Sequence, residues 1–293
     1  MAIFAQLLIN GLIAGGTYAL AAIGYSMVYG ALKFINFAHG SVAMVGAYFT
    51  YGLAIGMGLP LVAAIPLSMI LTALLGVLIE RGAYRPLRGA PKLAPLTTAI
   101  AVSFVLDALV MIVAGADIKT FNLPAQRGYE IGPIFITPVQ LVIIATSLVL
   151  MAFVYVLLNM TKLGKAIRAV ADDGNLAEAS GINANYVISA VFAIGSALAA
   201  VAGTLIGLDT NLQPTMGFNI TVKAFAAVVL GGLGSVPGAI AGGFLIGIAE
   251  NLGVWFIPPV WKDTIAYGIL ILMLFFKPSG LFGKKEETQA TVL

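Results

Sequence analysis

The chain has no cysteine among its 293 residues and a single histidine, His39. The first absence excludes disulfides, zinc–thiolate sites and iron–sulfur clusters, and the second leaves no histidine cluster for a metal. Charge is scarce as well. Only 9% of the residues are charged, against roughly 25% in an ordinary soluble domain, so a water-soluble fold of this size could not cover its surface. No His-Glu-x-x-His pair, thiol or convergent polar cluster is present for bond-making chemistry. A phosphate loop is also missing, because Gly164-Lys165 and Gly283-Lys284 lack the upstream glycine and the following hydroxyl.

What is present is apolar. Hydrophobic residues make up 60% of the chain and the mean hydropathy is +1.04, values of a protein solvated by lipid on its outside. Glycine, at 34 residues, is well above the usual ~7%. Lipid supplies no hydrophobic drive between helices, and small residues let them approach closely instead. The expected fold is therefore all-α: a polytopic transmembrane bundle of about eight spans, forming one domain over 1–293 with no soluble domain appended. The N-terminus lacks a basic leader region and runs straight into apolar sequence, which reads as a retained first span.

A span needs about 20 apolar residues to cross a core of ~30 Å. On that rule spans fall near 4–31, 38–57, 60–79, 96–115, 138–158, 184–207 and 264–277. The first is longer than one crossing requires and is expected to tilt or to loosen at Gly15-Gly16. Between the last two lies an apolar stretch, 222–257, broken by Gly231, Gly232, Gly234, Pro237 and Gly238. Such a break at membrane depth needs protein or a water-filled cavity over its freed backbone groups. It reads either as a re-entrant hairpin, the preferred form, or as two short crossings with the glycines near the cytoplasmic face. Four pairs have the spacing of close helix packing: Gly11 with Gly15, Gly203 with Gly207, Gly238 with Gly242, and Gly243 with Gly247.

Orientation follows from the basic residues. Lys33, Arg81, Arg85, Arg88, Lys92, Lys162, Lys165, Arg168, Lys277, Lys284 and Lys285 share one side if the spans alternate. Lys119, Arg127 and Lys262 take the other, and Lys223 sits at a boundary. The C-terminus is expected in the cytoplasm and the N-terminus outside it.

The longest patterned polar stretch is 159–183, assigned to the cytoplasmic side. Residues 165–171 are good helix formers, Asp172-Asp173-Gly174 breaks them, and Asn175 stands three residues before Glu178, as in a capping box. Gly181 supplies a helix stop. A plain connector needs only ~2–8 residues, so this long, self-ordered loop reads as a docking element for a cytoplasmic partner.

This loop resembles the coupling loop of ATP-binding-cassette importer permeases. The matching residues are Gly164-Lys165-Ala166-Ile167-Arg168-Ala169, leading into Glu178-Ala179-Ser180-Gly181-Ile182-Asn183. Residues 11–48 are similar to the opening of the LivH-type permeases of branched-chain amino-acid importers. So are Tyr84-Arg85-Pro86-Leu87-Arg88, the glycine break over 230–243 and the ending Lys277-Pro278-Ser279-Gly280-Leu281-Phe282-Gly283. The matches run in order along nearly the whole chain.

The resemblance implies a bacterial inner-membrane importer of leucine, isoleucine and valine. It also implies a partner set: a second, related permease, two cytoplasmic ATPases and an extracytoplasmic substrate-binding protein. ATP and magnesium would then belong to the ATPases, with no cofactor or metal in this chain. Lys165, Arg168, Asp172, Asp173, Glu178 and Gly181 would carry the ATPase movement. Related permeases carry urea, amides or other amino acids, and no residue here distinguishes those substrates.

Four polar residues lie within or at the ends of spans. A carboxylate near mid-bilayer costs about 2.5–3.5 kcal/mol on insertion scales, so Asp107 and Glu250 are expected to face the bundle interior or water. A structural partner is preferred over a substrate contact for both, with Asn251 or Lys223 beside Glu250. Asn36 reads as the N-cap of the second span, and His39 as a hydrogen-bonding residue. As part of the resembling run, both are also candidates for shaping the pore or the permease contact. A stand-alone secondary transporter would favour inverted repeats and intramembrane charges, which are poorly represented here. A membrane enzyme lacks its residues.

Overall fold

The computed structural model describes residues 2–91, 93–123, 127–132 and 134–283. Lys92, Lys284 and Lys285, three of the basic residues used for orientation, lie outside them. Helix α1 (Ala2–Leu32) is one unbroken helix with no loosening at Gly15-Gly16. At 1.5 Å per residue it is about 45 Å long, longer than the hydrocarbon core. Its exposed first turns are tied down at their own end of the bundle. There the Gln6 amide donates to the Phe135 carbonyl at 2.9 Å and accepts from the Phe135 N–H at 2.8 Å. Phe135 belongs to a small antiparallel pair, β1 (Tyr129–Ile131) and β2 (Ile134–Ile136), set in an otherwise helical chain.

Residues 33–38 double back into the bundle, so that α2 (His39–Tyr51) starts beside residues 21–24 of α1 rather than at its end. A π-helical stretch, Gly52–Gly56, continues this helix, and the expected span at 38–57 is not among the segments long and apolar enough to cross a membrane. Helix α3 (Leu61–Ile79), α4 (Leu93–Ala114) and α5 (Pro138–Met160) follow. Two short helices, α6 (Lys162–Asp172) and α7 (Gly174–Ala179), precede the long α8 (Ala184–Thr210). The chain closes with α9 (Met216–Gly231), α10 (Val236–Gly253) and α11 (Lys262–Phe276). Seven helical segments are long and apolar enough to cross a membrane, and α9 is a shorter apolar helix, among the described residues.

On either side of the glycine break the chain forms two antiparallel helices, of which α10 is long and apolar enough to cross a membrane and α9 is a shorter apolar helix. Helix α10 runs antiparallel to α1 along nearly its full length: Gly243 meets Ala19, Gly247 meets Gly15 and Gly11 meets Ile248. Gly242 lies inside unbroken α10 and takes no part in the turn, in keeping with its packing spacing from Gly238. Its role is helix approach. A Cβ at Gly242 would meet the Ala227 carbonyl of α9, and one at Gly238 the Gly231 carbonyl, so these two glycines seat α10 on α9. The loop after α9 reaches Gly30, near the end of α1. Gly232 and Gly234 turn this loop with φ of +112° and +80°, a backbone region open to glycine at little steric cost. The last carbonyls of α9 are met by the chain's own ending. Leu281 and Phe282 donate their N–H groups to the Leu230 and Gly231 carbonyls at 2.8 and 2.9 Å, filling the acceptors that a helix end leaves open. Pro237 occupies the first turn of α10, where its missing N–H costs nothing.

Helices α1, α2 and α8 form the buried centre, whereas α3, α4, α5 and α11 present broad apolar faces outward. Polar side chains bond across that centre: the Thr50 hydroxyl lies 2.7 Å from Ser68 and 2.8 Å from Thr204, joining α2, α3 and α8. These are hydrogen bonds of the kind that hold membrane helices together.

Candidate functional site

The patterned loop folds as two helices at the α1 C-terminal end of the bundle. Gly164, Ile167 and Val170 of α6 are buried at helical spacing, while Lys165, Arg168, Asp172, Asp173, Glu178 and Gly181 are exposed. The element is thus seated on the bundle by one face and offers its charges on the other. Arg168 donates to the Leu158 carbonyl, tying α6 to the end of α5. Leu176, on α7, is an apolar side chain left 67% exposed.

The cap of α7 differs from the expected one. Asp173, not Asn175, stands at the N-cap, and its carboxylate accepts from the Asn175 and Leu176 N–H groups at 2.9 and 3.0 Å. The break at Asp172-Asp173 allows either Asx residue to cap, and the tight turn out of α6 selects the earlier one. Gly181 does stop the helix, with φ +86° and the Ile182 N–H returned to the Ala177 carbonyl. Replacing Asp173 by Ala is expected to destabilise α7 by about 0.5–2 kcal/mol. Hydrogen exchange would show it as faster exchange at the Asn175 and Leu176 amides than in the parent protein.

Behind this loop lies an ion pair that sequence reading did not single out. Glu80 is fully buried, in a π-helical stretch Glu80–Tyr84 that extends α3. It accepts from Arg88 and, at 2.7 Å, from the Ser189 hydroxyl of α8. Arg88 also donates to Asn185, in the first turn of α8. Burial lowers the pKa of the Arg88 guanidinium, an effect that Glu80 partly offsets, and an arginine stays charged in proteins. The available signal was an acidic residue at the end of a span followed by arginines.

Asn36 is not the N-cap of α2; Ala38 holds that position without a side-chain bond. The Asn36 side-chain Oδ1 instead accepts from the Ala38 N–H at 3.2 Å and from the Tyr84 hydroxyl at 2.8 Å, bracing the segment that doubles back. His39 Nε2 lies 3.1 Å from the Ala21 carbonyl, and its ring meets Tyr25 edge-on. Both residues are buried among helices of this chain. Asp107 on α4 faces Ser41 of α2, and its Oδ1 has no hydrogen-bond partner among the described residues.

A second cluster of charge lies where α1, α9, α10 and α11 meet. Glu250, fully buried, accepts from the Tyr18 hydroxyl at 2.8 Å, and Lys223 Nζ stands 3.2 Å from its Oε1. The same ammonium donates to Tyr18 at 3.0 Å and lies 2.7 Å from Asp263. Lys262 donates to Asn251 at 3.2 Å. Glu250 therefore has the Lys223 partner considered from sequence, on the neighbouring helix. Asp263 was not foreseen, since it stands at the start of the final span.

A helical bundle with a charged, seated loop at one end and a buried charge cluster toward the other is the architecture of a membrane permease. Residues 7–274 match the family described as branched-chain amino acid transport system, permease component. The high-affinity branched-chain amino acid transport system permease BraD of Pseudomonas aeruginosa is 41% identical, with 97% of each chain covered. The corresponding LivH protein of Escherichia coli is 39% identical over 97% of this chain and 96% of its own. The chain belongs to this permease family. Its fold also resembles that of the Streptococcus pneumoniae structure described as PsaBC in complex with Fab. There the TM-score is 0.54 at 14% identity, covering 94% of this chain and 92% of that one.

Proposed function

We infer that this chain is the translocation subunit of an ATP-binding-cassette importer for leucine, isoleucine and valine in a bacterial inner membrane. It pairs with a second permease. Two ATPase subunits hold ATP and magnesium on the side of α6 and α7, and a binding protein delivers substrate on the other. The α1 C-terminal end, with Lys33, Arg88, Lys165 and Lys277, is then cytoplasmic by the positive-inside rule, and the α1 N-terminal end is extracytoplasmic. The substrate reading rests on kinship along nearly the whole length with proteins named for branched-chain amino acids.

The observation that carries the ATP-driven reading is the α6–α7 element. One face is anchored in the bundle, and the other holds Lys165, Asp172, Glu178 and Leu176 exposed. Reversing Lys165→Glu together with Glu178→Lys is expected to lower leucine uptake at least tenfold in vesicles holding the assembled transporter. ATPase subunits should co-purify with it less well. Unchanged uptake and unchanged co-purification would refute the docking role.

A further inference from the structure

Lys223 has two carboxylates where one would neutralise it, and the two differ in access. Glu250 is sealed in the bundle, whereas the Asp263 side chain is 45% exposed. Beside this pair, at the α1 N-terminal end, lies a cavity of about 270 Å³ between α1, α8, α9 and α11. Lys223 and Asp263 form part of its wall. Ile206, Met216 and Ile220 give it an aliphatic side, and Asn219 and Thr215 line it with polar groups. A concave site with apolar walls and a few placed polar groups is the usual form of a small-molecule site.

We propose that this cavity is a transient subsite for a zwitterionic aliphatic amino acid. The ion pair opens to admit it: the ligand carboxylate takes the place of Asp263 on Lys223, and the ligand ammonium pairs with the released Asp263. Each charge keeps an opposite partner, so the exchange buries no unpaired ion, which is the costly event in a medium of low polarity. Glu250 and Tyr18 hold the ammonium of Lys223 in place throughout. Lys262 bonds Asn251 nearby, at 3.2 Å, and does not line the cavity. The ligand's alkyl side chain then rests against Ile206, Met216 and Ile220. The substrate class rests on the importer reading above, and the site lies on the side from which a binding protein would deliver.

The natural absence of cysteine makes the test direct. Thr215→Cys places one thiol in the cavity wall, at an exposed residue whose hydroxyl makes no capping bond. Ala116→Cys, exposed at the same end but outside the cavity, is the control. In right-side-out vesicles stripped of binding protein, a membrane-impermeant methanethiosulfonate should label both. Saturating L-leucine should slow labelling of Thr215→Cys at least fivefold and leave Ala116→Cys unchanged. 4-Methylpentanoate and 3-methylbutylamine, each lacking one charge, should need at least tenfold higher concentration for the same protection. Failure of leucine to protect, protection by either half-analogue as good as by leucine, or failure of Thr215→Cys to label would overturn the subsite. Uptake of leucine by the parent transporter, measured in parallel with binding protein restored, separates the two claims. Uptake without protection refutes the subsite alone, and protection without uptake refutes the importer reading alone.

Discussion

Lys223→Met is expected to destabilise the bundle by about 3–5 kcal/mol, the usual result of removing one partner from a buried ion pair. The cost arises at Glu250. That carboxylate is fully buried and would keep only the Tyr18 hydroxyl, 2.8 Å away. Asp263 loses the same partner at less cost, because it is 45% exposed and regains water. Thermal unfolding of the purified protein in detergent should show a clearly lowered midpoint. The double variant Lys223→Met with Glu250→Met should recover most of the loss, since replacing both members of a buried pair by apolar groups is often neutral. If Lys223→Met alone left the midpoint unchanged, the pair would not be holding α9 to α10.

Gly247→Val should act as strongly by a different route. A Cβ at this position would meet the backbone of Gly15 and the Gly11 carbonyl on α1, and neither can swing aside as a side chain could. The two helices would have to separate along a seam that also includes Gly243 against Ala19. Overpacking of this kind costs about 1–3 kcal/mol, and the valine should lie at the upper end because the obstacle is main chain. Gly247→Ala should be milder in the same direction. Gly268→Ala on α11 is the control. No atom lies within 4 Å of its added Cβ, so its unfolding midpoint should hold or rise slightly, as alanine favours the helix. Equal loss at Gly247 and Gly268 would mean that the effect is not one of helix approach.

Much of the fold was legible because each membrane span is a local, composition-driven feature. The expected segments 60–79, 138–158 and 264–277 match α3, α5 and α11 within about two residues. The helix formers at 165–171 fall within α6, although the face by which it is seated was not read from the sequence. The glycine-rich stretch was read less finely. Its composition marked a break and the spacing of Gly238 and Gly242 marked close packing, but only the structure shows that Gly232 and Gly234 turn the chain and that α9 is the helix approached. The capping residues were also hard to place. Asp173 and Asn175, or Ala38 and Asn36, differ by two positions, and only the path of the chain chooses between them.

Sequence alone determined that the chain is a lipid-solvated helical bundle, that a charged loop lies between α5 and α8, and that it resembles the importer permeases. Tertiary structure alone decided which faces meet. A membrane helix is apolar toward lipid and toward its neighbours alike, so no hydrophobic stripe marks its buried side. That is why α3 revealed nothing of Ser68 bonding to Thr50, and why Glu80 could not be matched with Ser189, 109 residues away. The same holds for the Lys223 cluster. Its charges were visible one by one, but only the packing of α1, α9, α10 and α11 set one ammonium between a sealed carboxylate and an open one.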